Sequence, residues 1–294
     1  MNLQNKVALV TGAGRGIGQA IALALARDGA SLVAVSRTLS EIQDTVIKAR
    51  ALGSQALAIR ADIANQSDIT KMVAETLQTF GTVDILVNNA GIQGPIGCLV
   101  DNDVNAWIKT VMVNLVGTFL CCRAVLPVMI QQKRGKIINL SGGGATAPRP
   151  NFSAYASSKA AIVRLTETLA EEVKPYNIQV NAIAPGAINT KMLEEVIQAG
   201  EAAGEIALSQ AKRQKQTGGD PIDKVIDLVL FLASDMSGNL TGKLFSAQHD
   251  PWHEWAGKAN ELNATPLYTI RRLDPFTLKP LLKYLDKLSF SWIK

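Results

Sequence analysis

The sequence has few of the residues that hold small secreted domains or zinc modules together. Only three cysteines occur among the 294 residues. None belongs to a CxxC pair, and Cys121 and Cys122 are adjacent, so a disulfide framework and a cysteine-rich zinc module are both excluded. Charged residues make up 19% and hydrophobic residues 47% of the chain. That composition supplies ample apolar mass for one large core and excludes a disordered or collagen-like chain.

Histidine is equally scarce, with two in the whole chain. His249 and His253 have Asp250 and Glu254 beside them, which raises the possibility of a metal site. Pro251 lies inside the helix that this spacing would need, so we predict no metal here.

Long apolar runs are also missing, because Asn, Gly or a charged residue interrupts every candidate run before 18 residues. The first residues show no charged region followed by an apolar stretch and a cleavage site. We therefore expect a cytoplasmic protein.

Positive charge is concentrated near the C-terminus. The chain carries a formal net charge of +5, and residues 257–294 contain seven basic and three acidic residues. The first 256 residues are therefore almost neutral. A basic tail on a neutral body, without aromatic and basic residues interleaved on a sheet face, argues against a nucleic-acid-binding protein.

Short apolar runs alternate with longer helical patterns over most of the chain. Because the runs are almost continuously apolar, they are typical of parallel strands covered on both faces. The predicted strands are Val7–Val10, Leu32–Val35, Ala56–Arg60, Ile85–Asn88, Lys136–Leu140, Gln179–Ala184 and Lys243–Phe245. The predicted helices are Ile17–Asp28, Leu39–Ala51, Gln66–Phe80, Val104–Gln132, Ala154–Lys174 and Ile222–Ser234.

This alternation predicts an α/β fold: a single Rossmann-type, doubly wound parallel sheet of about seven strands, plus a C-terminal helical extension. We place the sheet domain at residues 1–247 and the extension at 248–294. The polar segment Lys191–Gly219 suits a mobile helical flap. In the extension, apolar residues at helical spacing after Pro280 predict a basic amphipathic helix over Leu281–Ile293.

A glycine-rich segment, Thr11 to Gly18, joins the first strand to the first helix. Glycines at this place let the backbone turn tightly and approach a pyrophosphate at the helix N-terminus. Glycines also end strands for purely structural reasons, but the position between a strand and a helix favours nucleotide binding.

Five further motifs accompany this loop in chain order. They are Asn88-Asn89-Ala90-Gly91, Asn114, Ser141, Tyr155-Ala-Ser-Ser-Lys159 and Pro185-Gly186-Ala187-Ile188-Asn189-Thr190. The loop itself has the spacing Thr-Gly-x-x-x-Gly-x-Gly. Over about residues 3–247 the chain resembles the short-chain dehydrogenase/reductase family. The resemblance implies a nicotinamide cofactor, an oxidoreductase activity and a homodimer or homotetramer paired through the helices at Val104–Gln132 and Ala154–Lys174.

Charge at the end of the second strand favours NADP(H) as the cofactor. An NAD-selective enzyme places an acidic side chain there, whereas this chain has Ser36-Arg37-Thr38. Arg37 can pair with a 2′-phosphate, and Arg15 in the adjacent loop can add a second positive charge. The resemblance implies that Asp62 and Ile63 bind adenine and that Thr190 holds the carboxamide. The predicted cofactor-binding residues are Gly12, Gly14, Arg15, Gly16, Ile17, Gly18, Ser36, Arg37, Asp62, Ile63, Asn88, Ala90, Gly91, Tyr155, Lys159, Pro185, Gly186, Ile188 and Thr190.

Tyr155 and Lys159 are four residues apart on a predicted helix and therefore share one face. A nearby ammonium and an oxidised nicotinamide favour the phenolate, which brings the pKa of Tyr155 towards neutral pH. We predict that Tyr155 exchanges the proton with the substrate oxygen, that Lys159 lowers its pKa, and that Ser141 hydrogen-bonds the substrate oxygen. As in the family it resembles, Asn114 would position a water. Fourteen positions separate Ser141 from Tyr155, slightly more than is usual in the family, and this changes the pocket shape but not the reaction.

These residues predict reduction of a ketone to a secondary alcohol. The substrate is either a 3-oxoacyl thioester or a keto-sugar or other polar ketone. The alternative from another class is a non-catalytic NADP(H)-binding regulatory protein. For the basic terminal helix, packing on the protein is favoured over contact with an anionic membrane surface.

Overall fold

The computed structural model describes residues 1–272 and 274. Seven parallel strands form one sheet, in the order β3-β2-β1-β4-β5-β6-β7. They are β1 (Val7–Thr11), β2 (Ser31–Ser36), β3 (Ala56–Arg60), β4 (Ile85–Asn88), β5 (Gly135–Leu140), β6 (Ile178–Ala184) and β7 (Leu244–Ser246). All seven predicted strands are present, with ends that match or differ by one residue. The doubly wound α/β fold is therefore confirmed.

The helices cover both faces of this sheet. They are α1 (Gly16–Arg27), α2 (Leu39–Ala51), α3 (Gln66–Phe80), α4 (Val104–Val111), α5 (Gly117–Gln132), α6 (Ser153–Val173), α7 (Lys191–Ala199), α8 (Glu205–Thr217), α9 (Asp223–Ala233) and α10 (Ala259–Asn263). Local sequence explains the ends of some of them, as in α3. The Asn65 side chain accepts hydrogen bonds from the backbone of Ser67 and Asp68 at its start, and Gly81 adopts a left-handed conformation at its end.

Successive residues of β1 enter different cores because side chains alternate across a strand. Ala8 and Val10 join the apolar cluster formed with α1, α2 and α9. Val7 and Leu9 join the cluster on the opposite face, formed with α3, α5 and α6. Burial of the sheet on both faces explains why its strands read as continuous apolar runs.

One predicted helix differs from the structure. Instead of a single regular helix over Val104–Gln132, a π-helical turn (Met112–Val116) joins α4 to α5. This segment is apolar and long enough, by length and composition alone, to cross a membrane, and 44% of its most apolar window is buried. Because α5 contacts α3, β4 and β5, it packs as a core helix against the sheet.

The segment after β7 packs against the edge of the sheet. The backbone N–H of Leu244 donates to the carbonyl of Tyr268 at 2.8 Å. Lys243 Nζ donates to the carbonyls of Thr265 and Leu267 at 2.7 and 3.1 Å. Trp252 packs against Phe231 with tilted rings and 5.5 Å between ring centroids. The predicted terminal helix over Leu281–Ile293 lies outside the described residues.

A second contact ties this segment to α6. Glu167 is buried, and its carboxylate accepts a hydrogen bond from the backbone of Ile270 at 2.7 Å. The same carboxylate pairs with Arg164 and with Arg271, the latter at 2.9 Å. The chain up to Arg271 is thus held against α6 by a hydrogen bond and an ion pair, as well as by aromatic packing.

Candidate active site

A cleft of about 320 Å³ lies at the carboxyl ends of the strands. The strand order reverses between β1 and β4, and ligands of open α/β sheets bind at such a point. The lining residues include Gly12, Gly14, Arg15, Gly16, Ile17, Gly18, Ser36, Arg37, Asp62, Ile63, Ala90, Gly91, Ser141, Tyr155, Lys159, Pro185 and Thr190. The cleft therefore brings together most of the predicted site residues.

The glycine-rich turn has no room for side chains. A Cβ on Gly12, whose φ is +67°, would lie 2.8 Å from the Asn89 amide, and one on Gly18 would lie 2.2 Å from the Gly12 carbonyl. The Asn89 amide fixes this turn by donating to the carbonyls of Thr11 and Gly12 at 3.0 and 3.2 Å. The bare backbone at the N-terminus of α1 therefore fits a dinucleotide pyrophosphate.

Charges of both signs surround the end of β2. Arg37 is exposed and lines the cleft, and Arg60 Nε donates to its backbone carbonyl at 3.2 Å. Arg15, the predicted second positive charge, instead forms an ion pair with Glu41 at 3.2 Å. Glu41 also lines the cleft. The Arg60 guanidinium thus lies against the Arg37 backbone, while the Glu41 carboxylate pairs with Arg15.

Ser141, Tyr155 and Lys159 meet at the end of β5. Ser141 Oγ donates to the Lys159 carbonyl at 3.1 Å, and Lys159 Nζ donates to the Leu140 carbonyl at 2.8 Å. The ammonium lies 5.5 Å from the centroid of the Tyr155 ring. All three side chains are buried. One helical turn and one strand end therefore place a hydroxyl, a phenol and an amine around the same space.

Burial dominates the electrostatics of this group. It lowers the pKa of Lys159 to about 8. It also raises the pKa of Tyr155, and the charge that opposes this rise is the Arg149 guanidinium, 5.5 Å from the phenol ring. In the protein alone, the Tyr155 pKa thus moves away from neutral pH. The sequence predicts that Lys159 lowers the pKa of Tyr155, but the charge that opposes the effect of burial here is Arg149.

Asn114 lies in the π-helical turn and holds one wall of the cleft. Its Nδ2 donates to the Ile92 carbonyl and to Ser158 Oγ, both at 3.0 Å, and its Oδ1 accepts from the Ile92 backbone at 2.9 Å. Both amide hydrogens are therefore used within the protein. The structure supports an anchoring role for Asn114, and its predicted role in positioning a water stays a prediction.

Comparison with known proteins agrees with this arrangement. The family model described as short chain dehydrogenase matches residues 6–201. The chain belongs to this family.

Relatives of this short-chain dehydrogenase act on varied substrates. It is 38% identical to the (2S)-[(R)-hydroxy(phenyl)methyl]succinyl-CoA dehydrogenase subunit BbsD of Thauera aromatica, over 83% of this chain and 95% of the relative. It is 36% identical to the 3-oxoacyl-[acyl-carrier-protein] reductase FabG of Thermotoga maritima, over 83% and 96%. A solved structure of NAD⁺-bound xylitol dehydrogenase superposes with a TM-score of 0.79 at 30% identity, over 84% and 98%. The chain is therefore an oxidoreductase of a family that uses a nicotinamide cofactor.

Three predicted cofactor residues of this short-chain dehydrogenase are not among the residues that line the cleft, and their roles stay predictions. Asn88 is buried behind the cleft, where its amide donates to Asn139 Oδ1 at 2.9 Å. Ile188 packs against the apolar cluster of α1 and α9. Gly186 faces Gln248 and Asp220, which a Cβ would approach to 2.4 and 2.6 Å.

Sequence reasoning missed several residues of the site. Asn89, rather than Asn88, lines the cleft, and the alternation of side chains along β4 is the signal that separates them. Glu41 and, from α7, Met192 and Glu195 also line it, but only tertiary folding brings them there. Among residues 1–272 and 274, no group of three or more His, Cys, Asp or Glu side chains converges as metal ligands do.

Proposed function

We propose that this short-chain dehydrogenase is an NADP(H)-dependent oxidoreductase that reduces a ketone to a secondary alcohol. The observation that carries the proposal is the convergence of Ser141, Tyr155 and Lys159 in one cleft with the glycine-rich turn. A non-catalytic regulatory protein has no chemical need for a buried hydroxyl, phenol and amine at the cofactor. We therefore favour catalysis over the regulatory alternative.

The residues of the cleft divide the work of the reaction. When bound, the dinucleotide supplies a hydride to the carbonyl carbon of the ketone. Tyr155 donates its phenolic proton to the carbonyl oxygen, which becomes the alcohol. The Ser141 hydroxyl, free to rotate about its C–O bond, stabilises charge on that oxygen. Lys159 uses one N–H on the Leu140 carbonyl and keeps two for the nicotinamide ribose.

Replacing the proton donor tests this assignment. With Tyr155→Phe we expect ketone reduction, followed as loss of NADPH absorbance, to fall at least about 100-fold, because general acid catalysis contributes about 10²–10⁴-fold. The matched control is Tyr176→Phe, since Tyr176 is exposed and outside the cleft. NADPH binding, measured by fluorescence, should persist in both variants. Undiminished turnover in Tyr155→Phe would exclude the mechanism. Tight binding without turnover of any ketone by the wild type would support the regulatory alternative.

The cofactor preference rests on Arg37. Its guanidinium forms no ion pair with any described residue, and it lines the adenosine end of the cleft. Arg60 adds positive charge nearby, whereas the Arg15–Glu41 pair opposes part of the effect. On balance we assign NADP(H) rather than NAD(H), and the binding measurement in the Discussion tests that choice.

The proposal includes two substrate classes, and similarity to a known protein supports each of them. Reduction of a 3-oxoacyl thioester is supported by the 36% identity to the Thermotoga maritima 3-oxoacyl reductase. A keto-sugar or other polar ketone is supported by the likeness to xylitol dehydrogenase. A panel that contains a β-ketoacyl thioester and a ketose, compared by kcat/KM, separates the two classes.

We also propose that the protein is a homodimer or homotetramer paired through α4, α5 and α6. Apolar side chains on one face of the α4–α5 segment are exposed, among them Val104 (68%), Ile108 (51%) and Phe119 (44%). Light scattering of the wild type and of Phe119→Glu tests this face, and an unchanged oligomer in the variant would exclude it. Residues 1–247 as the catalytic domain, residues 248–294 as an extension, and a cytoplasmic location stay predictions.

A further inference from the structure

The loop between β5 and α6 carries one charged side chain beside the proton donor. Arg149 is partly buried, and its guanidinium carbon lies 4.0 Å from the centroid of Phe152, which is fully buried. The same carbon lies 5.5 Å from the centroid of Tyr155. Stacking on two aromatic rings fixes the plane of the guanidinium and leaves its N–H groups at the edges for another partner.

Arg149 has no anionic partner in the part of the chain that the structure describes. Its guanidinium makes neither an ion pair nor a hydrogen bond with residues 1–272 or 274. Burial of a cation is costly unless a partner compensates for the lost water, and here the desolvation lowers the pKa of Arg149. Five N–H donors in a planar fork match a carboxylate or a phosphate.

Arg149 and Tyr155 both lie against the two consecutive glycines that follow Ser141. A Cβ on Gly142 would lie 2.7 Å from the Tyr155 hydroxyl, and one on Gly143 would lie 3.7 Å from Arg149 Nη1. The phenol and the guanidinium therefore border adjacent stretches of the same side-chain-free backbone. The loop is also the one whose length between Ser141 and Tyr155 departs from the family pattern.

We propose that Arg149 is a specificity-determining residue that binds an anionic group of the substrate, a carboxylate or a phosphate, a few bonds from the reacting carbonyl. This inference rests on the proposed ketone reduction. Within the class of polar ketones it favours keto acids or ketone phosphates over neutral substrates. Arg149 would orient the ketone towards Tyr155 by a bidentate contact, since a forked donor fixes both distance and direction. A neutral ketone gains no such contact.

Matched charged and neutral substrates test the proposal. Wild type should have a higher kcat/KM for 3-oxobutanoate than for its methyl ester, and for dihydroxyacetone phosphate than for dihydroxyacetone. The pair with the larger ratio shows whether the site binds a carboxylate or a phosphate. In Arg149→Gln we expect kcat/KM for the preferred anion to fall at least about tenfold, because losing a hydrogen bond to a charged group weakens binding by about that factor or more. Its neutral partner should change less than about twofold. Arg27→Gln, an exposed arginine outside the cleft, is the control.

Other outcomes would overturn the proposal. Equal losses for the anion and its neutral partner would mean that Arg149 only supports packing on Phe152. A shift of the acidic limb of alcohol oxidation to higher pH, with substrate preference unchanged, would mean that Arg149 acts only through the charge state of Tyr155. Arg149→Lys keeps the charge but not the fork, so it should recover part of the lost preference.

A binding measurement separates this proposal from the proposed reaction. If the wild type turns over no ketone, calorimetric titration of the NADP⁺-bound protein with 3-hydroxybutanoate and with inorganic phosphate decides the anion site alone. Binding that Arg149→Gln abolishes would retain the site while the reductase assignment fails. No binding of either anion would overturn the site.

Discussion

Replacing Arg37 with alanine gives the sharpest test of cofactor choice. The side chain is exposed at the end of β2 and lines the cleft, where the 2′-phosphate of NADPH would meet its guanidinium. A hydrogen bond to a charged group contributes about 1.5–3 kcal/mol, which corresponds to about 10- to 150-fold in affinity. Because solvent screens an exposed pair, we expect the lower end of that range, about tenfold weaker NADPH binding by Arg37→Ala.

Titration of cofactor fluorescence at several salt concentrations measures this effect. NADH lacks the phosphate, so its Kd should change less than about twofold. The difference between the two cofactors should shrink as ionic strength rises. Glu41→Gln is the complementary variant: it frees Arg15 from the ion pair and removes a carboxylate, so NADPH should bind up to about fivefold more tightly. If Arg37→Ala weakens NADH and NADPH equally, the phosphate argument is refuted.

Three further predictions follow from distances and burial. Gly18→Ala should lower the melting temperature and abolish NADPH binding, because the added Cβ would lie 2.2 Å from the Gly12 carbonyl. Such overpacking costs about 1–3 kcal/mol, and an unchanged thermal melt would contradict this prediction. Burial lowers the pKa of Lys159 to about 8, so kcat/KM for reduction should fall as pH rises through about 8, because the ammonium loses its proton. A pH profile that is flat to pH 10 would exclude a catalytic role for the Lys159 ammonium. Glu167→Ala should speed proteolysis near Ile270 without lowering activity, because it removes the carboxylate oxygen that accepts from the Ile270 N–H at 2.7 Å. Unchanged cleavage would show that aromatic packing alone suffices.

Local patterns in the sequence carry the sheet and the centre of the site. Apolar runs such as Val7–Val10 predict strands because burial on both faces leaves no polar alternation. The spacing of Tyr155 and Lys159 predicts a shared face because a helix repeats after nearly four residues. Both are properties of a few neighbouring residues, so a single sequence contains them.

Other features depend on residues that are distant in the chain. Arg15 pairs with Glu41, 26 positions further along the chain, and neither local sequence predicts this ion pair. The π-helical turn contains Asn114, whose amide donates to the Ile92 carbonyl 22 positions away. Docking of residues 248–271 depends on aromatic contacts without a period, such as Trp252 on Phe231. These contacts are set by packing, which sequence periodicity does not encode.

The backbone contact between Leu244 and Tyr268 has a consequence for how the chain avoids misassembly. β7 is the last strand in the sheet, and an uncovered edge strand is a template for pairing with another chain. Here Tyr268 accepts from the Leu244 N–H, while Lys243 reaches the carbonyls of Thr265 and Leu267. During synthesis this edge is exposed until those residues emerge, so a chain that stops before Thr265 would present an open edge to its neighbours. Residues 265–268 thus cover backbone groups at this edge that would otherwise be open to pairing with another chain.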